Sequence, residues 1–389
     1  MPIHSIVIEG LKSTKEPVIW QWIKVKPGDP ISRFDAENVK KSIVNLGIFK
    51  SVDIEYFIIG EKVKIVILIE EKITLYPVPI LMFYRQTRVT GLLLAETNFL
   101  GYNKGLVAGG ANSNRGNYYL WAYTDPNIMF SDFFGRLTNF GGKVFTENAY
   151  PNGKVFQSYE AYRFDVQYYF GHTFWNFFSP TLTGAFRYME IQEGYKDNSE
   201  EPPSGSAISQ GIKFIFSNLI NRYHYQEGFR SYVEFQHGFP FGAYPATFNT
   251  IISESRYTVP AHFGHFFSVG FFWSVADYPA VFESRLGGQE GTYSLPSLLV
   301  PADNYFTGTI SYHIPLLDYS WGNIVLHTFF ENGVYQRNQD PFVNFAGPGL
   351  GLRLYLSHID LPVVGGDVAY NIYTHSVNFS ISIGYRETR

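Results

Sequence analysis

From about residue 79 onward, apolar and polar residues alternate with a period of two, in segments of about ten residues or more. On 161–170, Tyr162, Phe164, Val166, Tyr168 and Phe170 share one face, and Arg163, Asp165 and Gln167 the other. On 228–239, Phe229, Val233 and Phe235 oppose Arg230, Glu234 and Gln236. On 305–314, Phe306, Ile310, Tyr312 and Ile314 oppose Thr307, Thr309, Ser311 and His313. On 376–385, Val377, Phe379, Ile381, Ile383 and Tyr385 oppose Asn378, Ser380 and Ser382. Such segments are β-strands with one dry and one wet face. A soluble sandwich alternates in the same way. Strand length and aromatic load decide between the two: 36 Phe and 29 Tyr make most of an 18% aromatic fraction. A membrane barrel uses aromatic girdles at both interfaces, with lipid outside and a polar lumen. It is also the only strand-built structure that crosses a bilayer with its backbone groups paired.

Sixteen segments read as barrel strands: 79–87, 89–99, 104–113, 116–124, 132–147, 157–170, 175–190, 207–220, 227–239, 245–257, 261–275, 303–315, 321–333, 346–357, 363–372 and 376–386. The number is even, as single-chain bacterial barrels require. Gly194–Gly205 reads as an extracellular loop. No apolar run approaches the ~20 residues of a membrane helix; the best is Val78–Tyr84. No signal peptide is read at Met1, so an exported protein with this start would be a mature form.

Residues 282–303 break the alternation. They run from Phe282 through Arg285, Gly287, Gly288, Gly291 and Tyr293 to Asp303. A loop this long is functional or disordered, and Leu286, Tyr293, Leu295, Leu298, Leu299 and Val300 argue for burial.

The first 75 residues differ. Ser5–Ile8 reads as a strand and Thr14 as a helix N-cap ahead of Pro17. Ser32 opens a second helix with Phe34, Val39, Ile43 and Leu46 on one face, stopped by Gly47. Residues 52–56 and 62–70 follow as strands. The order is β-α-α-β-β. With Glu9-Gly10, Lys26-Pro27-Gly28-Asp29 and the Gly47, Phe49, Val52 spacing, residues 3–72 resemble a POTRA domain. The resemblance implies a periplasmic module that captures a client strand at an exposed sheet edge, here 51–58 with Val52, Ile54 and Tyr56.

The fold class is therefore mainly β: a transmembrane antiparallel barrel of about 16 strands (76–389, with inserted loop 282–303) behind one small α+β domain (1–75). One POTRA before such a barrel resembles the BamA/TamA superfamily of outer-membrane assembly and translocation proteins. Glu96-Thr97-Asn98-Phe99-Leu100-Gly101, Asp125-Pro126-Asn127, Phe329-Phe330-Glu331-Asn332-Gly333 and Gly349-Leu350-Gly351-Leu352-Arg353 are similar to its motifs. Leu286-Gly287-Gly288 matches the start of the family's lumenal loop, but the Arg that follows in the family is missing around Tyr293. The resemblance implies an inserted loop. With the usual Arg gone, a lumenal lock of Arg285, Glu331 and Arg353 is the expected substitute, joined by Arg163, Asp165, Arg230 and Glu234. It also implies a lateral seam between the first and last strands, with Pro79, Ile80 and Phe83 on one side and Phe379, Ile383 and Gly384 on the other.

Other chemistry is poorly supported. With no cysteine there are no disulfides or thiolates, and a net charge of −4 gives no field for nucleic acid. Ser204-Gly205-Ser206 is no nucleophile elbow, and the ten histidines lack metal spacing. The expectation is a non-enzymatic outer-membrane barrel without cofactor or metal. It would face outer-membrane lipids and handle polypeptide clients, with a homodimer as an option. The competing expectations are the lipid-handling or anchoring half of a patatin-like one-POTRA protein, and a plugged pore.

Overall fold

The computed structural model describes residues 1–84, 87–113, 116–175, 177–195, 204–222, 225–242, 247–277, 284–297, 299–319, 321–337, 339–356 and 362–383. Gly384 and most of the 194–205 loop lie outside them.

The N-terminal domain packs β1 (Ile3–Glu9), α1 (Pro17–Trp20), α2 (Ala36–Val44), β2 (Phe49–Ile59) and β3 (Lys62–Glu71) around one core. Ile19, Ile43, Ile48, Phe49, Val52, Ile65 and Ile67 are among its buried side chains. The sheet order is β1-β3-β2, with β1 parallel to β3, so β2 is an edge strand. Helix α2 starts at Ala36, not Ser32, because the Asp35 carboxylate accepts the Asn38 N–H at 3.0 Å. Thr14 does not cap α1 either: α1 has no side-chain cap, and Thr14 is used elsewhere.

The rest of the chain closes on itself as a barrel. Its first half is β4 (Leu75–Tyr84), β5 (Thr87–Phe99), β6 (Lys104–Ser113), β7 (Gly116–Asp125), β8 (Phe133–Ala149), β9 (Val155–His172) and β10 (Phe178–Tyr195). There follow β11 (Gly205–Ser217), a two-residue β12 (Ile220–Asn221), β13 (Gln226–Gly242), β14 (Phe248–Pro260) and β15 (Phe266–Ala276). A small hairpin, β16 (Ser284–Leu286) with β17 (Val300–Ala302), stands apart from the ring. The ring resumes with β18 (Asn304–Tyr319), β19 (Gly322–Gln336), β20 (Val343–Leu356), β21 (Pro362–Asn371) and β22 (Ser376–Ile383). Setting aside β12 and the small hairpin, the described residues form a ring of sixteen strands, closed by β22 beside β4. The first barrel strand begins at Leu75 rather than 79, so Pro77 and Pro79 both lie within it.

Outward positions are apolar and bare. Leu92, Leu94, Phe164, Phe186, Phe235, Phe306, Ile310, Phe330 and Ile381 are all exposed. Large apolar patches on a soluble monomer seldom exceed a few hundred Å², whereas here they circle the barrel. This is the surface of a protein embedded in a bilayer. No helix of the described residues is long and apolar enough to span a membrane.

Inward positions divide into two kinds. On β9–β14 they carry Arg163, Asp165, Arg187, Lys213, Arg230, Glu234, Glu254 and Arg256. On β4–β7 they are Val78, Ile80, Leu93, Val107, Leu120 and similar residues. The expectation of a polar lumen holds for one side of the barrel and fails for the other, where both strand faces are apolar.

Candidate functional site

The small hairpin is the base of a strap that occupies the lumen. Its strands pair Ser284 with Ala302, Arg285 with Pro301 and Leu286 with Val300. Gly287 and Gly288 then turn the chain. Gly287 has φ 114°, and an added Cβ would lie 1.9 Å from the Pro296 carbonyl oxygen, so glycine alone fits. The turn closes on Thr292, whose carbonyl accepts the Gly288 N–H at 3.1 Å and whose hydroxyl accepts that of Gly287 at 3.1 Å. Leu286, Leu295 and Val300 pack with Tyr335 and Phe345, and Tyr293 packs on Phe329 and Ala369. The Tyr293 and Phe329 rings lie 4.6 Å apart. Phe329 lies over Gly349 of β20, where a Cβ would meet its ring at 2.1 Å. Leu298 and residues 282–283 fall outside the described residues.

Glu331 holds the strap through its backbone. The carboxylate, fully buried, accepts the N–H of Tyr293 at 2.9 Å and of Ser294 at 2.6 Å. The Ser294 carbonyl in turn accepts Asn371 Nδ2 at 3.2 Å and Asn378 Nδ2 at 2.6 Å. Strap, β19, β21 and the last strand β22 are thus clasped at one point.

Arg353 is inward but does not join Glu331. In the β19–β20 register Glu331 stands opposite Gly347 and Arg353 opposite Val325. The offset is 353 − 347 = 6 residues, or ~20 Å along the strand. Arg353 instead pairs with Asp367 at 2.8 Å and donates to the Tyr293 hydroxyl at 3.2 Å. His327 Nδ1 lies 3.2 Å from Asp367 and 3.1 Å from the Arg353 guanidinium. Arg285 is farther still. It donates to the Glu147 carbonyl at 3.2 Å, Asn148 Oδ1 at 2.7 Å and the Tyr159 hydroxyl at 3.1 Å. Beside it the Leu299 carbonyl accepts the Ala149 N–H at 2.8 Å.

The expected cluster of Arg285, Glu331 and Arg353 is therefore three separate anchors. Strand order explains this. β9, which carries Tyr159, and β20, which carries Arg353, are eight places apart in the sixteen-strand ring (β9-β8-β7-β6-β5-β4-β22-β21-β20). They face each other, and the strap crosses between them. A fourth anchor is the ion pair of Arg256 on β14 with Glu290 of the strap. The other expected members stay on the wall: Arg163 pairs with Asp165 at 2.5 Å, and Glu234 with Lys213 at 3.5 Å. Arg230 stands opposite Arg256 in the β13–β14 register. Asp367, Asn371 and Ser294 escaped the sequence reading, and Asn378 was placed on the polar face of its strand but given no role. The available signal was parity on 363–372, which puts Asp367 and Asn371 on one face.

At the seam the described part of the last strand, β22, is Ser376–Ile383, beside β4. Proline cannot donate to a ladder. Pro77 and Pro79 share parity, so two donors are missing from one edge of β4. Ile80 is half-buried and faces inward, as Val78 does. Phe379 is 69% exposed on the lipid side. Phe83 and Ile383 contribute their backbone pairings, Phe83 with Arg88 and Ile383 with Val364; their side chains lie outside the described residues, as does Gly384.

The N-terminal domain is fastened to the barrel. Within that domain, Glu71 holds the loop that makes the joint: it accepts the N–H groups of Ser13 at 3.0 Å and Thr14 at 2.8 Å, and the Ser13 hydroxyl at 2.8 Å. Burial pushes the Glu71 pKa up, but the hydrogen bonds from Thr14 and Ser13 outweigh it and hold it at about 2. The Thr14 hydroxyl accepts Asn98 Nδ2 at 2.8 Å, and the Gly101 carbonyl accepts the Lys15 N–H at 2.8 Å. Asn98 lies near the end of β5 and Gly101 in the β5–β6 turn. On the free edge, Val52 is buried in the core, Ile54 is half-buried and Tyr56 is exposed.

Residues 1–72 match the POTRA family, described as a surface antigen variable number repeat. No curated protein matches the sequence. Solved structures match over 99% of the chain. BamA from Haemophilus ducreyi lacking POTRA domains 1–3 aligns with TM-score 0.57 and 12% identity over 84% of its length. CdiB from Acinetobacter baumannii gives 0.62 and 12% over 74%, and CdiB from Escherichia coli 0.65 and 13% over 76%. The chain thus has the BamA/TamA type of fold, a sixteen-stranded barrel behind a single POTRA domain.

Proposed function

We propose that this chain is an outer-membrane barrel that assists the insertion or translocation of polypeptides, with its POTRA domain in the periplasm. The observation that carries the reading is the closing pair: β22 beside β4, which holds Pro77 and Pro79, with β22 tied through Asn378 to a strap across the lumen. Proline cannot donate to a ladder, so a barrel built only to persist would not place two of them in a closing strand. Closure here is reinforced from inside by the strap, whose Ser294 carbonyl accepts Asn378 of β22. The likeness of fold to BamA and CdiB supports the same reading.

On this reading a client segment first adds to the free edge of β2 by main-chain hydrogen bonds. The POTRA domain, fixed by Thr14 and Asn98, presents that edge in a constant orientation to the barrel. The strap leaves Glu331 and Asn378, the seam parts, and the client pairs with β4 or passes inward. Nothing in this sequence needs catalysis.

Liposomes containing the full chain, given a urea-unfolded small outer-membrane barrel, test the function. Client folding should be faster than in empty liposomes, and a proline scan over 53–57 of β2 should slow it. Equal rates with and without the chain would remove the proposal.

A further inference from the structure

The inner wall of β4–β7 has no place in that account. One row of inward residues runs through the ladder registers from the seam: Val78, Leu93, Gly109, Leu120, then Phe140 on β8. With ~4.8 Å between strands, the four steps cover ~19 Å. Val107 and Ala122 extend the patch towards the POTRA end. Val78, Leu93, Val107 and Leu120 are all half-buried rather than enclosed. The strap anchors described above fall on β8, β9, β14 and β19–β22. In a water-filled lumen such a surface is unfavourable by ~25 cal/mol per Å².

We propose that this wall is a binding surface for the acyl chain of an anionic single-chain phospholipid. Three observations select that occupant. The wall's backbone groups are already used in the barrel ladder, so it offers apolar side chains and no hydrogen-bond partner to a peptide backbone; an acyl chain needs only the apolar contact. The patch starts on β4, the seam strand, whose opposite face meets lipid: Leu75 and Pro79 on β4, and Leu92 and Leu94 on β5, point outward and are exposed. It is therefore continuous with the lipid-facing surface wherever the seam parts. Finally, a cation borders it. Arg136 of β8 stands opposite Thr124 of β7, two residues nearer the POTRA end than the Thr138–Ala122 pair, and bonds the Thr138 hydroxyl at 3.2 Å. The geometry suits a phosphate near Arg136 with its chain running up the apolar wall.

The native chain has no cysteine, so single cysteines report one site each. L120C lies on the apolar wall and Q236C on the charged wall of β13. The full chain in zwitterionic nanodiscs is titrated with lysophosphatidylglycerol or lysophosphatidylcholine, and the rate of modification by a charged thiol reagent is followed. Native mass spectrometry of the cysteine-free chain and of an L93N/L120N variant counts bound lipid in parallel. Lysophosphatidylglycerol should slow L120C by about tenfold, equivalent to about 1.4 kcal/mol, and leave Q236C unchanged. Lysophosphatidylcholine should slow it less, and R136Q should erase that difference. One bound lipid is expected on the cysteine-free chain and none on L93N/L120N. Equal slowing at both cysteines, no slowing at L120C, or equal lipid occupancy in L93N/L120N would overturn the proposal. These outcomes are read without any client, so they stand apart from the polypeptide reading.

Discussion

Glu331→Ala tests how the strap is held. Glu331 is fully buried and accepts two backbone N–H groups, from Tyr293 and Ser294. Alanine leaves both donors inside the barrel with no acceptor. Each unsatisfied buried donor costs about 1–3 kcal/mol, so docking of the strap should weaken by about 2–6 kcal/mol. At about 1.4 kcal/mol per decade, that is about 30-fold at the least. Hydrogen exchange of peptides covering 286–297 reads the effect directly, because those amides exchange when the strap undocks. Glu331→Ala should accelerate their exchange by about 30-fold or more, and protease should gain access to 286–297. Glu331→Gln retains one carbonyl oxygen and should fall between the two. Exchange within about threefold of the unaltered chain would show that apolar packing of Leu295 and Tyr293 holds the strap and that the carboxylate does not.

Arg353→Met removes the partner of the buried Asp367 carboxylate; breaking such a pair costs about 3–5 kcal/mol, so the urea midpoint should fall, and adding Asp367→Asn should restore part of it. Asn378→Ala removes the shorter of the two donors to the Ser294 carbonyl, worth about 1 kcal/mol; exchange over 376–383 should rise several-fold, with a smaller rise in the strap because Asn371 remains. The joint between the domains should be acid-sensitive. Glu71 has a folded pKa of about 2, below the ordinary carboxylate value of about 4.3. Its contribution is therefore complete above that ordinary value and is lost as pH falls towards about 2. A distance probe between the POTRA domain and the 98–103 turn should broaden over that window, and Glu71→Gln should broaden it at neutral pH.

Strand identity and facing were legible because side chains alternate with the backbone period, so Arg163, Glu234, Thr309 and Ser380 could be placed inward by counting. Register between strands was not. Glu331 and Arg353 lie on adjacent strands with the correct parity, and counting cannot reveal the six-residue offset that sends Arg353 to Asp367. The burial of 284–297 followed from its leucines and Tyr293. Its anchoring did not, because Glu331 grips backbone N–H groups, which every residue has. Thr14 has the position of a helix cap, and only the barrel's return at Asn98 shows what its hydroxyl meets. The apolar lumen wall was hidden because Gly91-Leu92-Leu93-Leu94-Ala95 is apolar on both faces, and such a run loses the period that signals a half-wet strand.

The proposed function requires the seam between β4 and β22 to part. Cysteine pairs scanned across β4 and β22, in a chain that has no other cysteine, allow that seam to be closed by oxidation and reopened by reduction. Client folding in liposomes holding the cross-linked chain should drop to the rate of empty liposomes and recover on reduction. Undiminished folding with the seam fully cross-linked would contradict the account.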